Sequence, residues 1–205
     1  MVKIKQESVV DYLYCASILE ERTYLLYKNL ADKVDIPLVN SLLLHIAYDS
    51  QKHSAILRGI SGSIAKPKKP SKNCEKKLFG PTWSTIERLT QEIAREKRIS
   101  KENMSSLVKK LMILESTVGE EYYILVQLKT LEYMTKEIRE TYNVDLEDLK
   151  DILETIINDE ETHKELLAKM KKILVGDEKQ AEDEAPAVKY KSPDSWTAHI
   201  PAGIT

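Results

Sequence analysis

The chain has 205 residues, 42 % hydrophobic and 31 % charged, and its 31 Lys and Arg nearly balance 33 Asp and Glu for a formal net charge of −2. That length suits one domain whose core folds without disulfide staples, and the charge balance excludes a general nucleic-acid binder. No apolar run is long enough to span a membrane, and the opening MVKIKQESVV has no long apolar core, so neither membrane insertion nor secretion is expected. Cys15 falls in a helical segment and Cys74 in a Lys-rich loop, which suggests no disulfide framework and makes a reduced, cytoplasmic setting the default.

Ser8, with Asp11 three residues on, has the pattern of an N-cap and acidic first turn, so a first helix is expected over 9–34. Its stripe is Val10, Leu13, Ser17, Glu20, Tyr24, Tyr27, Ala31 and Val34. Asp35-Ile36-Pro37 breaks it, and a second helix follows to Arg58, before Gly59. The second stripe is Val39, Leu43, Ile46, Ser50, His53, Leu57 and Ile60. So short a connection makes the pair an antiparallel hairpin.

Ser61 to Gly80 is rich in Lys, Pro, Ser and Gly and reads as a solvated crossover loop. Its lysines (66, 68, 69, 72, 76 and 77) have only Phe79 and Trp83 as aromatic company, too little for a nucleic-acid surface. Pro81 to Arg98 is expected to form a short extra helix with Trp83, Ile86, Leu89 and Ile93 on one side. A third helix follows from Ser100 to Thr141, with the stripe Met104, Val108, Leu111, Glu115, Val118, Tyr122 and Leu125. After a turn at Asn143-Val144-Asp145, the fourth runs to Gly176 with Leu149, Leu153, Ile156, Glu160, His163, Leu167, Met170 and Leu174 on one face. Few glycines and no alternating strand-like runs make the reading all-α. The expectation is an antiparallel four-helix bundle over 1–176, built as two hairpins joined by a long crossover containing a short extra helix. A charged linker and tail follow at 177–205.

Each apolar stripe is interrupted by groups that bind metals. Residues three or four apart share a helical face, so Glu20, His53, Glu115, Glu160 and His163 point where the core residues point. Burying unpaired carboxylates is costly, and a cation is the simplest compensation. The halves also repeat: Glu20 with Tyr27 and then Asp49-X-X-X-His53, followed by Glu115 with Tyr122 and then Asp159-X-X-X-His163. In Glu160-X-X-His163 the side chains lie one above the other, within reach of one ion. Carboxylates with imidazoles suit iron, manganese or zinc better than calcium. Glu21 lies off the best stripe, Glu120 and Glu121 read as a solvated face, and His45 and His199 carry no assigned role.

This ordered set resembles the ferritin-like superfamily, including rubrerythrins and ferritins, over roughly residues 8–176; Leu114-Glu115-Ser116-Thr117-Val118 is similar to the third helix of ferritins. The resemblance implies two irons that react with dioxygen or peroxide. Glu20 and Glu115 would be terminal carboxylate ligands, Glu160 a bridging ligand, and His53 and His163 the imidazole ligands. Tyr27 and Tyr122 are candidates for electron donation, against a plainer role in core packing. The chain departs from the pattern at Ser50, where the family has a second bridging Glu. Asp49 lies about 100° around the helix and would need a local distortion to substitute. The half built from Glu115, Glu160 and His163 therefore looks complete, and the half built from Glu20 and His53 looks weak. No Cys-X-X-Cys pair is present for a rubredoxin-type centre, so electrons would come from a separate donor or from ferrous iron itself.

The expected function is that of an iron-dependent (or manganese-dependent) oxidoreductase acting on O₂ or peroxide, or oxidising ferrous iron, at an incomplete di-metal site. The alternative is a non-catalytic bundle, a scaffold or cargo protein whose tail at 187–205 docks on a partner such as a protein shell. A storage role would require a homo-oligomer.

Overall fold

A computed structural model describes the backbone of residues 6–64, 73–127 and 146–176, and the side chains of nearly all of these. Six helices are seen there and no strand: α1 (Gln6–Ala31), α2 (Pro37–Ile64), α3 (Cys74–Leu78), α4 (Gly80–Arg95), α5 (Lys101–Gln127) and α6 (Leu146–Gly176). The long helices α1, α2, α5 and α6 form the expected four-helix bundle, with α3 and α4 in the crossover. The end of the third predicted helix beyond Gln127 and the linker and tail at 177–205 lie outside the described residues.

The α1–α2 turn is sealed locally. Pro37, whose fixed φ suits a first helical position, opens α2, and the Asn40 side-chain amide donates to the Ala31 carbonyl at 2.7 Å. Lys33, in the same turn, reaches the end of α4, donating to the carbonyls of Ile93 and Glu96 at 2.7 Å each. Ser100 caps α5 by accepting from the Asn103 amide at 3.2 Å.

Helix α2 continues past the predicted stop at Arg58. Gly59 and Gly62 each cost about 1 kcal/mol in a helix interior. Against that, buried Ser61 donates to the Val10 carbonyl at 3.0 Å, and Ser54 donates to the Ser17 carbonyl at 2.7 Å. Tertiary contacts with α1 thus carry the helix two turns further than local propensity would.

The expected loop is also more structured at its end. Asn73 adopts a left-handed conformation (φ 62°), which Asn tolerates better than most residues, and α3 follows. Phe79 is a core residue rather than a loop aromatic, meeting Tyr12 edge-on at 5.0 Å. On α4, Thr82 joins Ile86, Leu89 and Ile93 on the buried side, while Trp83 is half-buried beneath the Arg22 guanidinium.

Both cysteines are buried and joined as a Cys15–Cys74 disulfide that ties the crossover to α1. This overturns the expectation of no disulfide. The sequence places Cys74 in a loop, and only the return of α3 onto α1 reveals a partner 59 residues away. The argument for a reduced, cytoplasmic setting loses the support it drew from unpaired thiols. No helix among the described residues is long and apolar enough to cross a membrane.

Candidate metal centre

The core faces of the four long helices converge on five buried polar residues. Helix α1 brings Glu20, α2 His53, α5 Glu115, and α6 both Glu160 and His163. They form two groups, Glu20/His53/Glu160 and Glu115/Glu160/His163, each with its ligand atoms within 4.8 Å of one another. Glu160 belongs to both. Its Oε1 lies 3.2 Å from His53 Nδ1 and its Oε2 3.6 Å from His163 Nδ1. The outer carboxylates complete the pattern, with Glu20 Oε1 3.9 Å from His53 Nδ1 and Glu115 Oε2 3.1 Å from His163 Nδ1. The two imidazoles stand 6.1 Å apart between ring centres. Gly119 of α5 faces Glu160, where an added Cβ would lie 3.5 Å from the Glu160 Cβ, an ordinary van der Waals contact.

The far nitrogen of each ring is held by a carboxylate of the opposite helix. Asp159 of α6 meets His53 Nε2 at 3.0 Å, and Asp49 of α2 meets His163 Nε2 at 3.2 Å. Lys52 lies 2.8 Å from both Asp49 Oδ1 and Asp159 Oδ2. With Nε2–H directed to an aspartate, each Nδ1 faces the interior of the site, the arrangement that fixes tautomer and ring orientation in metal-binding histidines. Asp49 therefore serves His163 and does not replace the absent bridging Glu. In the sequence, Asp159 has no assigned role and Asp49 stands only as a distorted substitute for the missing bridging Glu. The signal for their contacts with the imidazoles is the twice-repeated Asp-X-X-X-His.

Tyr27 is fully buried and donates its hydroxyl to Glu115 Oε1. Its partner is the glutamate of the facing helix, not Glu20 of its own. Tyr122, Glu120 and Glu121 have side chains outside the described residues, as does His199. Glu20 is buried whereas Glu21 is exposed and paired with Arg58 at 3.0 Å. His45 is exposed and lies 3.5 Å from Asp49 Oδ2.

The electrostatics are those of a cluster that seeks positive charge. Burial, reinforced by the Glu115 charge, pushes the Glu160 carboxyl well above the ordinary range. Burial opposes the charged form of Glu115 too, but hydrogen bonding and charge from His163 outweigh it and hold that carboxyl low. For His163, burial acts downward, yet Glu115 and Glu160 push the imidazole up to about 11. Burial and the neighbouring Glu115 raise the Tyr27 hydroxyl. Protons on Glu160 and His163 thus supply the compensation that a cation would otherwise provide.

Among the described residues, buried His53 Nδ1, Glu160 Oε1 and Ser50 Oγ lack a hydrogen-bond partner. The first two lie 3.2 Å apart without the geometry of a hydrogen bond. Unpaired buried polar atoms are rare and demand a reason; an ion between imidazole and carboxylate is one. With three carboxylates and two imidazoles, the donor set fits a divalent transition metal. Ser50 is buried three residues before His53, on the same face, where the sequence pattern lacks a carboxylate.

The Rubrerythrin family profile matches residues 11–121, just over half of the 205-residue chain. The chain belongs to the rubrerythrin family. No curated protein and no solved structure gives a match. The profile's span takes in Glu20, His53 and Glu115, and stops before Glu160 and His163, which the bundle brings into the same cluster. This rubrerythrin-family bundle thus has an incomplete His/Glu cluster of the di-metal carboxylate kind, with Ser50 at the gap.

Proposed function

We propose that this protein binds two divalent transition-metal ions, one on each side of Glu160, and acts as an oxidoreductase on dioxygen or peroxide. Iron is the metal proposed first, with manganese or zinc as alternatives, because mixed carboxylate and imidazole donors suit all three. The observation that carries the reading is the position of Glu160, one oxygen toward His53 and the other toward His163. Glu20 and Glu115 serve as outer carboxylates and Glu160 bridges the two halves, while the second bridging carboxylate of the family pattern is absent at Ser50. Bound iron would supply the electrons passed to the oxidant. The chain's own part is to exclude water with a closed apolar core, to orient His53 through Asp159 and His163 through Asp49, and to hold Glu115 through the Tyr27 hydroxyl. With no Cys-X-X-Cys pair in the sequence, electrons come from a separate donor or from ferrous iron.

The buried hydroxyl of Ser50 favours a second reading, a bundle with fewer metals and no turnover, whose tail serves docking on a partner. Metal content of the protein purified with ferrous iron, beside Glu160→Ala, separates the two. Near-stoichiometric metal lost on substitution supports the proposal, as does faster oxidation of the loaded protein by peroxide or O₂. Substoichiometric metal unchanged by Glu160→Ala sinks it.

A further inference from the structure

We propose that Lys52 is a positioning residue that ties the two halves of the site together; its purpose rests on the metal-centre reading above. The aspartates that hold the imidazoles are crossed, each belonging to one helix and serving the histidine of the other. A single ammonium joins them, 2.8 Å from Asp49 Oδ1 and 2.8 Å from Asp159 Oδ2. The Asp159 oxygen that Lys52 holds is the one that meets His53 Nε2, while Asp49 turns its other oxygen to His163. Movement of this one side chain is therefore felt at both rings.

The device is one-sided. In the repeat, Asp49-Ser-Gln-Lys52-His53 of α2 matches Asp159-Glu-Glu-Thr162-His163 of α6, so Thr162 stands where a second lysine would be. Thr162 turns its hydroxyl back to the Asn158 carbonyl at 3.0 Å. One ammonium thus serves two acids across the α2–α6 seam, beside the imidazole that each acid meets.

An ordinary surface ion pair contributes little, because solvent screens it and its side chains are free to move. Here the partners are only 20 % and 26 % exposed, and each is fixed by a fully buried imidazole. Lys52 itself is 46 % exposed, so replacing its head leaves the core intact.

The test compares the full chain with Lys52→Met and Lys52→Arg. In metal-stripped protein, nitrogen-15 NMR should show slowly exchanging Nε2–H protons for His53 and His163 in the original chain and in Lys52→Arg. In Lys52→Met they should broaden into water, with the thermal midpoint little changed. Cobalt(II) binding should weaken about 10-fold in Lys52→Met, at the lower end of what supporting residues around metal sites contribute, and recover in Lys52→Arg. Lys52→Met with both ring protons protected and undiminished cobalt affinity would overturn the inference. If the original chain binds no cobalt, the metal reading fails, and the ring-proton comparison alone decides the role of Lys52.

Discussion

Removing the Tyr27 hydroxyl isolates one support of the cluster. Tyr27→Phe keeps the buried ring, so it opens no cavity, but it takes away the bond to Glu115 Oε1 in a fully buried setting. A hydrogen bond to a charged group contributes about 1.5–3 kcal/mol net, and the carboxylate left behind stays buried. At about 2–4 °C per kcal/mol for a chain of this size, the thermal midpoint of the metal-free protein should fall by roughly 3–12 °C. Urea denaturation should show a lower midpoint at an unchanged slope, with the exposed Tyr48→Phe as control within about 0.5 kcal/mol of the parent. The pH dependence has a definite sign. Glu115 ionises more readily folded than unfolded, so its stabilisation is present above its ordinary pKa of 4.5 and is lost as pH falls through the lower folded value. The Tyr27→Phe deficit should shrink over that same acid range. A deficit below about 0.5 kcal/mol at neutral pH would refute the reasoning, because it would mean that Glu115 does not depend on this bond.

Three further outcomes follow from the same geometry. Reducing Cys15–Cys74 frees a loop of 59 residues; the chain-entropy relation puts the loss at about 4 kcal/mol, read as the difference between denaturation curves with and without a phosphine reductant. Thiol titration of the unfolded, unreduced protein should find both cysteines blocked, and two free thiols would contradict the bond. His163 has its pKa raised to about 11, so the stability it contributes to metal-free protein is fully present below its unfolded pKa of 6.5 and is lost as pH rises toward 11. Thermal midpoints should fall across that alkaline range without metal. Metal binding displaces the proton, so the stabilisation by added metal should grow with pH, and a pH-independent metal effect would contradict this. Ser50→Glu adds a carboxylate beside the unpaired atoms of the cluster; calorimetry should record tighter binding of ferrous iron, whereas unchanged binding would show that Ser50 does not mark the gap.

Much of this arrangement was legible in the order of residues. Helical periodicity alone put Glu20 inside and Glu21 outside, because side chains one residue apart diverge by about 100° around the axis. The doubled Asp-X-X-X-His pattern told which histidines would meet. What remained hidden were relations across helices. The repeat pairs Tyr27 with Glu20, its neighbour along α1, whereas its hydroxyl meets Glu115 on α5. Asp49 was judged as a substitute for the residue beside it, and it contacts a histidine 114 residues away. The continuation of α2 through Gly59 and Gly62 reflects serine contacts with α1 that outweigh local propensity. The Glu20/His53 half looks weak in the sequence because Ser50 stands where a second bridging carboxylate is expected, and Glu160 Oε1 faces His53 from the opposite helix.

The claim that both halves share Glu160 is tested most directly by anomalous diffraction at the iron edge from crystals grown anaerobically with ferrous iron. Two peaks are expected, one among Glu20, His53 and Glu160 Oε1 and the other among Glu115, His163 and Glu160 Oε2. A peak beside Glu115 and His163 alone would contradict the shared bridge, and no peak at either place would contradict the metal centre itself.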